Sequence, residues 1–372
     1  MKDISTNNKN LPITLSSNNK WFAYSYSMND KNIVATIQLS TDLPSFISRD
    51  DIPGFGNSIS FNGDGSRIAI GGDLHEGESG VVIIYEYDSS NNEWNVVGDA
   101  IRGEEQGERM GTSVSLSSDG NRVGIGAPFY SIPGLDSGRA RVYEYKDNVW
   151  TKVGIDLLGS YGDKLGSHVE LSSDGNIFAV GGSHASTSNG IESGQIKVYN
   201  DTEQWTLLGT EPIKGLGAYL HLGNTFSLSS DGLVLSIAAS PDYSKMEDDI
   251  SNLSLCNVYK FNVELSEWNR EGSTYTCIPN QNRTYSTALS GDGARVAFGS
   301  QHLHFENGTV HVLEFTPEGD WLELGSAIEG DGTFGSNLVF GENGKKLGLS
   351  STLPNTNSLF DGNTYIYEYE ND

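Results

Sequence analysis

The amino-acid sequence predicts an all-β fold: a single seven-bladed β-propeller with four antiparallel strands in each blade. Two observations carry this prediction. A short turn motif recurs about every 50 residues, and alternating hydrophobic segments flank each copy. No segment has convincing helical periodicity. The chain has 372 residues, of which 36% are hydrophobic, and this is ample for one buried core.

The recurring turn is an Asp-Gly pair between two short hydrophobic segments, which is a strong signal for a β-hairpin. The clearest copies read SFNGDGSRIAIGG, SLSSDGNRVGIGAP and ELSSDGNIFAVGG. The turn residue recurs at seven places: Asn18, Asp64, Asp119, Asp174, Asp231, Asp292 and Asn343. Each copy fits one propeller blade of four strands and their loops.

The repeat sets the blade boundaries near residues 12–48, 57–102, 112–159, 167–215, 224–278, 285–329 and 336–370. The last blade has room for only three strands before Asp372. A sheet left one strand short exposes unpaired backbone groups. We therefore expect residues 1–11 to supply its closing strand, although their Asn-, Lys- and Ser-rich sequence is a poor strand former.

A tryptophan opens the predicted fourth strand in five blades: Trp94, Trp150, Trp205, Trp268 and Trp321. A large aromatic ring at one fixed place per blade would fill the gap between sheets, which widens away from the propeller axis. We interpret these residues as part of the core. The alternative is a stacking platform for sugars, which would require exposed rings.

The acidic composition disfavours nucleic acid as a partner, because a net charge of −26 repels phosphate backbones. No window approaches 18 consecutive apolar residues, so we expect no membrane insertion. The first residues lack an apolar stretch, and no signal peptide is visible. Localisation stays open between extracellular, virion-associated and cytoplasmic.

The blades resemble FG-GAP repeats, which form the propellers of integrin α-subunits and of many microbial and algal surface proteins. The Phe-Gly element stands at residues 55–56 and 334–335, and Gly-Ala-Pro stands at 126–128. The turn pattern is also similar to that of WD-repeat propellers. The resemblance covers essentially the whole chain and implies the propeller fold, but such folds host many functions.

The metal sites of calcium-binding FG-GAP blades do not carry over to this sequence. Those blades have an Asp-x-Asp-x-Asp-Gly loop, whereas the loop here is Ser-Ser-Asp-Gly, and only residues 62–65 come near the pattern. One carboxylate per turn cannot supply the six to eight oxygen ligands that calcium takes. We therefore expect no metal and no cofactor, and interpret the repeated Asp as a turn residue that accepts nearby backbone N–H groups.

Catalytic motifs are absent from the sequence: it has no Gly-x-Ser-x-Gly elbow, His-Glu-x-x-His pair or phosphate-binding loop. His302 and His304 with Glu306 have ligand chemistry but lack a third strong ligand. His75, His184 and His302 fall at similar places in alternate blades, too far apart to share one ion. The sequence therefore predicts no catalytic residues and no enzyme.

We name the four predicted strands of each blade A to D in chain order. The long, variable loops from B to C within a blade and from D to A of the next blade emerge on one face in related propellers, and variable loops commonly carry binding. This pattern predicts a non-enzymatic binding or structural propeller, such as an adhesin, a cell-surface component or a virion protein. Its loop face would attract a protein or glycan partner with a cationic patch, or hold a bridging cation. The candidate residues are Asp73, His75, Glu76, Glu78, Glu104, Glu105, Glu108, Asp136, Asp163, His184 and Glu192.

The alternative function is a carbohydrate-binding or carbohydrate-active propeller, either a lectin or a glycoside hydrolase, built around the central channel. It would require converging carboxylates at the spacing that glycosidases use, together with exposed aromatic rings.

The two cysteines, Cys256 and Cys277, are predicted to lie on the third and fourth strands of blade five. A short turn near residues 263–267 would bring them to facing positions within the error of the register. A disulfide there could stabilise the fold by about 3 kcal/mol through chain entropy. Two reduced thiols are the alternative.

Overall fold

The computed structural model describes residues 2–6, 12–28, 31–39, 44–132, 134–242, 245, 255–275, 282–302, 307–353 and 361–369. These residues form a seven-bladed β-propeller of seven antiparallel sheets, which confirms the predicted fold class. The one helix among the described residues is an irregular single turn, His75–Glu78, in which Glu76 has a positive φ of 46°. No helix in the described ranges is long and apolar enough to cross a membrane.

Strands A, B, C and D of each blade follow one another from the channel outward. Blade one contains β2 (Ile13–Leu15), β3 (Trp21–Met28), β4 (Lys31–Gln38) and β5 (Pro44–Ser48). Blade two contains β6 (Phe55–Phe61), β7 (Arg67–Gly72), β8 (Val81–Asp88), β9 (Glu93–Val96) and β10 (Ile101–Arg102). Blade three contains β11 (Ser113–Leu116), β12 (Arg122–Ala127), β13 (Arg139–Lys146) and β14 (Val149–Leu158).

The remaining blades repeat this order. Blade four contains β15 (Leu165–Leu171), β16 (Ile177–Gly182), β17 (Gln195–Asn200), β18 (Thr206–Leu207) and β19 (Ile213–Lys214). Blade five contains β20 (Phe226–Leu228), β21 (Val234–Ala239), β22 (Leu255–Asn262) and β23 (Glu267–Tyr275). Blade six contains β24 (Asn282–Leu289), β25 (Arg295–His302), β26 (Asn307–Phe315), β27 (Trp321–Glu323) and β28 (Ile328–Asp331). Blade seven contains β29 (Asn337–Phe340), β30 (Lys346–Leu353) and β31 (Asp361–Glu368), with β1 (Lys2–Thr6) at its outer edge.

The A strands form a closed ring around the channel. Each contacts the A strand of the next blade, in the order β2, β6, β11, β15, β20, β24 and β29, and β29 contacts β2. Strand β1 pairs antiparallel with β31, so that Ile4 lies opposite Thr364. The first strand of the chain therefore completes the last sheet, which would otherwise present an unpaired edge.

Tryptophans at or near the start of strand D pack between neighbouring sheets, as the sequence predicted. The side chain of Trp205 is only 3% exposed, and its indole N–H donates to the carbonyl of Val153 in blade three at 3.1 Å. The same bond joins two other pairs of blades: Trp150 to Val97 at 2.9 Å and Trp268 to Leu208 at 3.0 Å. Each indole thus fills the gap between two sheets and satisfies a carbonyl of the preceding blade.

The A–B turn has the side-chain bonding expected of a turn aspartate. In blade three, Asp119 Oδ1 accepts the backbone N–H of Asn121 at 2.9 Å and the hydroxyl of Ser117 at 2.6 Å. Gly120 follows with a φ of +70°, which explains the glycine. Equivalent backbone bonds form at Asp64, Asp174, Asp231 and Asp292.

The cysteine pairing falls partly outside the described residues. Cys256 is buried and disulfide-bonded, and it lies opposite Tyr275 in the sheet register. Cys277 lies outside the described residues, as do His304 and Glu306. The pairing of the two cysteines therefore stays a prediction.

Candidate functional site

The A strands line a central channel with a volume of 470 Å³. Its wall is rich in hydroxyl groups, among them Ser60, Ser115, Ser227 and Thr287. None of the chain's six tryptophans lies among the described lining residues. The exposed aromatic platform expected of a sugar-stacking channel is therefore not found in the described lining.

A repeated hydrogen bond links the A strands of blades one to four. The hydroxyl four residues before the turn aspartate accepts a backbone N–H from the A strand of the next blade. These bonds run from Phe61 to Thr14 at 3.3 Å, from Leu116 to Ser60 at 3.0 Å and from Leu171 to Ser115 at 2.9 Å. A channel-lining hydroxyl is thus a structural part of the repeat.

Blade four departs from this pattern at two positions. It carries Glu170 where the repeat has the hydroxyl, and His168 two residues earlier. The other six blades have no ionisable side chain at either position. Their residues are Thr14, Ser60, Ser115, Ser227, Ala288 and Val339 at the first and Pro12, Ser58, Ser113, Thr225, Ser286 and Asn337 at the second.

Contacts with blade five fix the His168–Glu170 pair in the channel wall. His168 Nε2 lies 3.4 Å from Glu170 Oε1, and the His168 ring packs edge-on against Phe226 with centroids 4.6 Å apart. Glu170 Oε2 accepts the backbone N–H of Leu228 at 2.5 Å. Both side chains are partly exposed, at 30% and 26%, so a ligand in the channel can reach them. No sequence motif predicted this pair, although its departure from the repeat is visible in the sequence.

The loop face has a second repeated arrangement where a B–C loop meets the following D–A loop. Arg109 and Lys164 occupy equivalent D–A positions with φ of 54° and 51°, and His221 occupies the third with φ of 53°. Their backbone N–H groups donate to the carbonyls of three predicted acidic residues: Glu78 at 2.8 Å, Asp136 at 2.9 Å and Glu192 at 3.2 Å. Arg109 also forms an ion pair with Glu78 at 2.6 Å.

The third junction brings His184, Glu192 and His221 together, with their ligand atoms all within 4.8 Å of one another. His221 Nε2 lies 3.2 Å from Glu192 Oε2, and the two imidazole rings are 4.5 Å apart. Burial and the positive charge of Lys164 lower the pKa of His184 to about 4, and burial also lowers the pKa of His221. Sequence reasoning missed His221 because no short motif joins it to His184.

Glu104, Glu105 and Glu108 form part of a charged network rather than a uniformly exposed acidic surface. Glu108 is only 1% exposed, because it forms an ion pair with the buried Arg139. Its other oxygen accepts the backbone N–H groups of Glu104 and Glu105. Glu104 binds Arg141 at 2.9 Å, and this hydrogen bond lowers the pKa of Glu104.

The other predicted loop residues are also held by local contacts. Asp73 is buried and accepts a hydrogen bond from the Asn57 amide at 2.6 Å, and burial raises the pKa of Asp73. Asp163 is buried and accepts the N–H of Ser160 at 2.9 Å. A separate group contains two further residues: His75 lies 3.4 Å from Glu76 and 3.0 Å from Arg102, and of these three side chains Glu76 and Arg102 are exposed. The eleven predicted residues thus form several separate clusters.

Comparison with known proteins finds likeness in structure only. No family model matches the chain, and no curated protein matches its sequence. Hydrazine synthase from Kuenenia stuttgartiensis is similar with a TM-score of 0.61 and 13% identity, over 98% of this chain and 97% of the other. The periplasmic gluconolactonase of Pseudomonas aeruginosa is similar with a TM-score of 0.58 and 13% identity, over 94% and 95%.

A Bacteroides fragilis protein assigned as a 6-phosphogluconolactonase also matches, with a TM-score of 0.56 and 13% identity over 97% of this chain and 91% of the other. At this identity the likeness shows the fold alone, and that fold occurs in enzymes. The prediction of a non-enzymatic binding or structural propeller is therefore wrong. It rested on missing sequence motifs, whereas a propeller can assemble reactive residues from strands and loops that are far apart in sequence. What the comparisons establish for this chain is the propeller fold.

Proposed function

We propose that this protein is a hydrolase that opens lactones of small polyhydroxylated molecules in its central channel. The observation that carries the proposal is the His168–Glu170 pair, which puts an imidazole and a carboxylate 3.4 Å apart in the channel wall. A histidine and a neighbouring carboxylate are a common arrangement for general acid–base catalysis. The volume of 470 Å³ suits a small ligand.

His168 is the proposed catalytic residue. Its imidazole accepts a proton from the water molecule whose oxygen attacks the lactone carbonyl carbon. When the ring C–O bond breaks, the imidazolium returns that proton to the departing oxygen, and the product is an open hydroxy acid. Water is the only co-reactant, so atoms and charges balance without a cofactor.

Glu170 is the proposed positioning residue. Its contact with His168 Nε2 leaves Nδ1 for proton transfer, and its negative charge stabilises the imidazolium that forms in the reaction. The N–H of Leu228 holds the other carboxylate oxygen. The carboxylate is therefore fixed before substrate binds, which avoids a reorganisation cost during the reaction.

The hydroxyl groups of the channel supply the polar contacts for the substrate. Ser115 uses a lone pair to accept the N–H of Leu171 and keeps its own O–H proton to donate. A polyhydroxylated lactone offers several acceptors for such donors. The lactonases that share this fold support the choice of reaction class. The finer likeness of the blades to FG-GAP repeats is compatible with this function and stays a prediction.

The direct test is to follow hydrolysis of D-glucono-1,5-lactone by the purified chain in a pH-stat, with the spontaneous rate subtracted. We expect His168→Ala to lower kcat/KM by about 10²- to 10⁴-fold, the usual contribution of a general acid–base group. The matched control is His311→Ala, which removes another imidazole paired with a glutamate, Glu323, away from the channel lining. Absence of hydrolysis above background, or full activity in His168→Ala, would contradict the proposal.

A further inference from the structure

The junction of blades four and five contains a set of side chains that the channel chemistry does not use. His184 and Glu192 come from the B–C loop of blade four, and His221 comes from the following D–A loop. Two imidazoles and one carboxylate are the protein ligands of many zinc sites whose fourth position is left to water. The separation of 3.2 Å between His221 Nε2 and Glu192 Oε2 is close to the distance between two ligands of one tetrahedral ion, about 3.4 Å.

The surroundings of both imidazoles favour metal binding. His184 Nδ1 lies 3.0 Å from the hydroxyl of Ser183, which itself lies 2.9 Å from the hydroxyl of Ser167. The hydrogen bond at Nδ1 fixes the orientation of the His184 ring and leaves Nε2 free to bind a metal ion. His221 Nε2 is buried and has no hydrogen-bond partner of good geometry among the described residues. A buried nitrogen that lacks a hydrogen bond of good geometry is costly, and its 3.2 Å contact with Glu192 Oε2 is an ion pair only if the ring is protonated.

Two departures from the repeat coincide at this junction. In the preceding junction, Lys164 stands where His221 stands here, and its amine lies 5.2 Å from the ring of Phe129, which is equivalent to His184. A cation beside an aromatic ring has thus been replaced by two imidazoles. The acidic position is kept, since Asp136 and Glu192 are equivalent. This replacement takes the lysine out of the D–A position and adds two ligands.

We propose that His184, Glu192 and His221 bind one divalent transition-metal ion, zinc by the chemistry of the ligands. The inference goes beyond the channel hydrolase, and the ion would join the B–C loop of blade four to the loop that leads into blade five. Lys245 competes with the ion, because its amine lies 2.7 Å from Glu192 Oε2. A bound ion must use the other carboxylate oxygen or displace this amine.

The test measures metal binding by the full chain after removal of metal with a chelator. Zinc is titrated by calorimetry, and Co²⁺ by its visible absorption, which reports on ligand geometry. We expect one ion per chain. Each of His184→Ala, His221→Ala and Glu192→Gln should weaken binding by at least about 10-fold, since even loss of outer contacts has effects of that size. His75→Ala, a loop histidine beside Arg102, is the matched control and should leave binding unchanged.

Lys245→Ala separates ligand binding from structural damage. Loss of the competing amine should tighten zinc binding several-fold, an effect that partial unfolding cannot produce. The assignment is overturned if the wild-type chain takes up no zinc, or if the double variant His184→Ala/His221→Ala binds it with unchanged affinity. Because the variant removes a positive charge beside the ion whichever carboxylate oxygen binds it, unchanged affinity in Lys245→Ala would also contradict the site. None of these measurements depends on lactone hydrolysis, so failure of one proposal leaves the other standing.

Discussion

Glu170 in blade four accepts the backbone N–H of Leu228 in blade five at 2.5 Å, just as Ser115 in blade three accepts that of Leu171 at 2.9 Å. The carboxylate therefore performs the structural task of the repeat hydroxyl and also places a negative charge beside His168. Because either side chain can perform the structural task, mutation can separate the proposed chemistry from the fold.

The first prediction concerns Glu170→Ser, which restores the repeat residue. We expect the Tm to change little, since a hydroxyl can accept the N–H of Leu228. We expect kcat for lactone hydrolysis to fall by about 10-fold or more with KM nearly unchanged, because the imidazolium of His168 loses its fixed counter-charge. Steady-state kinetics and a thermal melt check both parts. A parallel rise in KM with constant kcat would argue against a positioning role.

The matched control is Ser115→Ala, which removes a lining hydroxyl from the equivalent position in blade three. It leaves the N–H of Leu171 without its acceptor, and the free energy of unfolding should fall by about 1 kcal/mol. Because Ser115 is one of the proposed substrate-contacting hydroxyls, we expect its loss to raise KM, whereas kcat should stay near the wild-type value because His168 and Glu170 are intact. The two variants thus have opposite expected effects on stability and activity.

The second prediction concerns the tryptophans between blades. Trp205→Phe leaves the carbonyl of Val153 without its indole donor, so we expect the free energy of unfolding to fall by about 1–3 kcal/mol in urea titrations. Trp321→Phe is the matched control. Its indole is also buried, but its nitrogen has no hydrogen-bond partner among the described residues. This variant should therefore lower the free energy of unfolding by clearly less than Trp205→Phe does. Equal losses in the two variants would contradict the role assigned to the hydrogen bond between Trp205 and Val153.

The third prediction concerns closure of the ring by β1. Deletion of residues 1–6 removes the strand opposite Gly362–Ile366 and leaves the edge of β31 unpaired. We expect the Tm to fall by about 5–10 °C, because several kcal/mol of edge pairing is lost. A synthetic peptide of residues 1–11, added in excess, should restore part of the loss. An unchanged Tm would show that the pairing contributes nothing to stability.

The fold could be predicted from the sequence because its signals are local. The turn at Asp119 and Gly120 needs only Ser117 and Asn121 to form its hydrogen bonds, and these residues lie within five positions of the chain. The same strand–turn–strand pattern recurs in every blade, so even degenerate copies could be assigned to a blade.

The candidate sites could not be predicted in the same way, because their partners meet only after folding. His184 and His221 come from different loops, and Glu108 is buried against Arg139, which lies 31 positions later in the chain. The signal for His168 and Glu170 was present as a departure from the repeat. This signal is a difference between one blade and the other six, and no known catalytic motif contains it.

The last prediction concerns the acid sensitivity of the charged network in blade three. Burial alone would raise the pKa of Asp156, but hydrogen bonds from Arg141 and Lys152 lower it to about 2. The usual pKa of an unfolded aspartate is about 3.9. The folded state therefore binds fewer protons than the unfolded state between these values, and stability from Asp156 is lost as the pH falls from about 4 to 2.

Asp156→Asn removes the charge that makes this contribution. At pH 7 we expect the variant to be less stable than the wild type by on the order of 1 kcal/mol, a value that allows for solvent screening at a partly exposed pair. The difference should stay constant down to about pH 5 and shrink toward pH 2, because the wild-type carboxylate then becomes protonated. Urea titrations at a series of pH values measure it. Asp147→Asn, in the adjacent hairpin turn and without an ion pair among the described residues, should follow the wild-type profile throughout. A stability difference for Asp156→Asn that is the same at pH 2 and pH 7 would show that the ion pair with Arg141 contributes nothing.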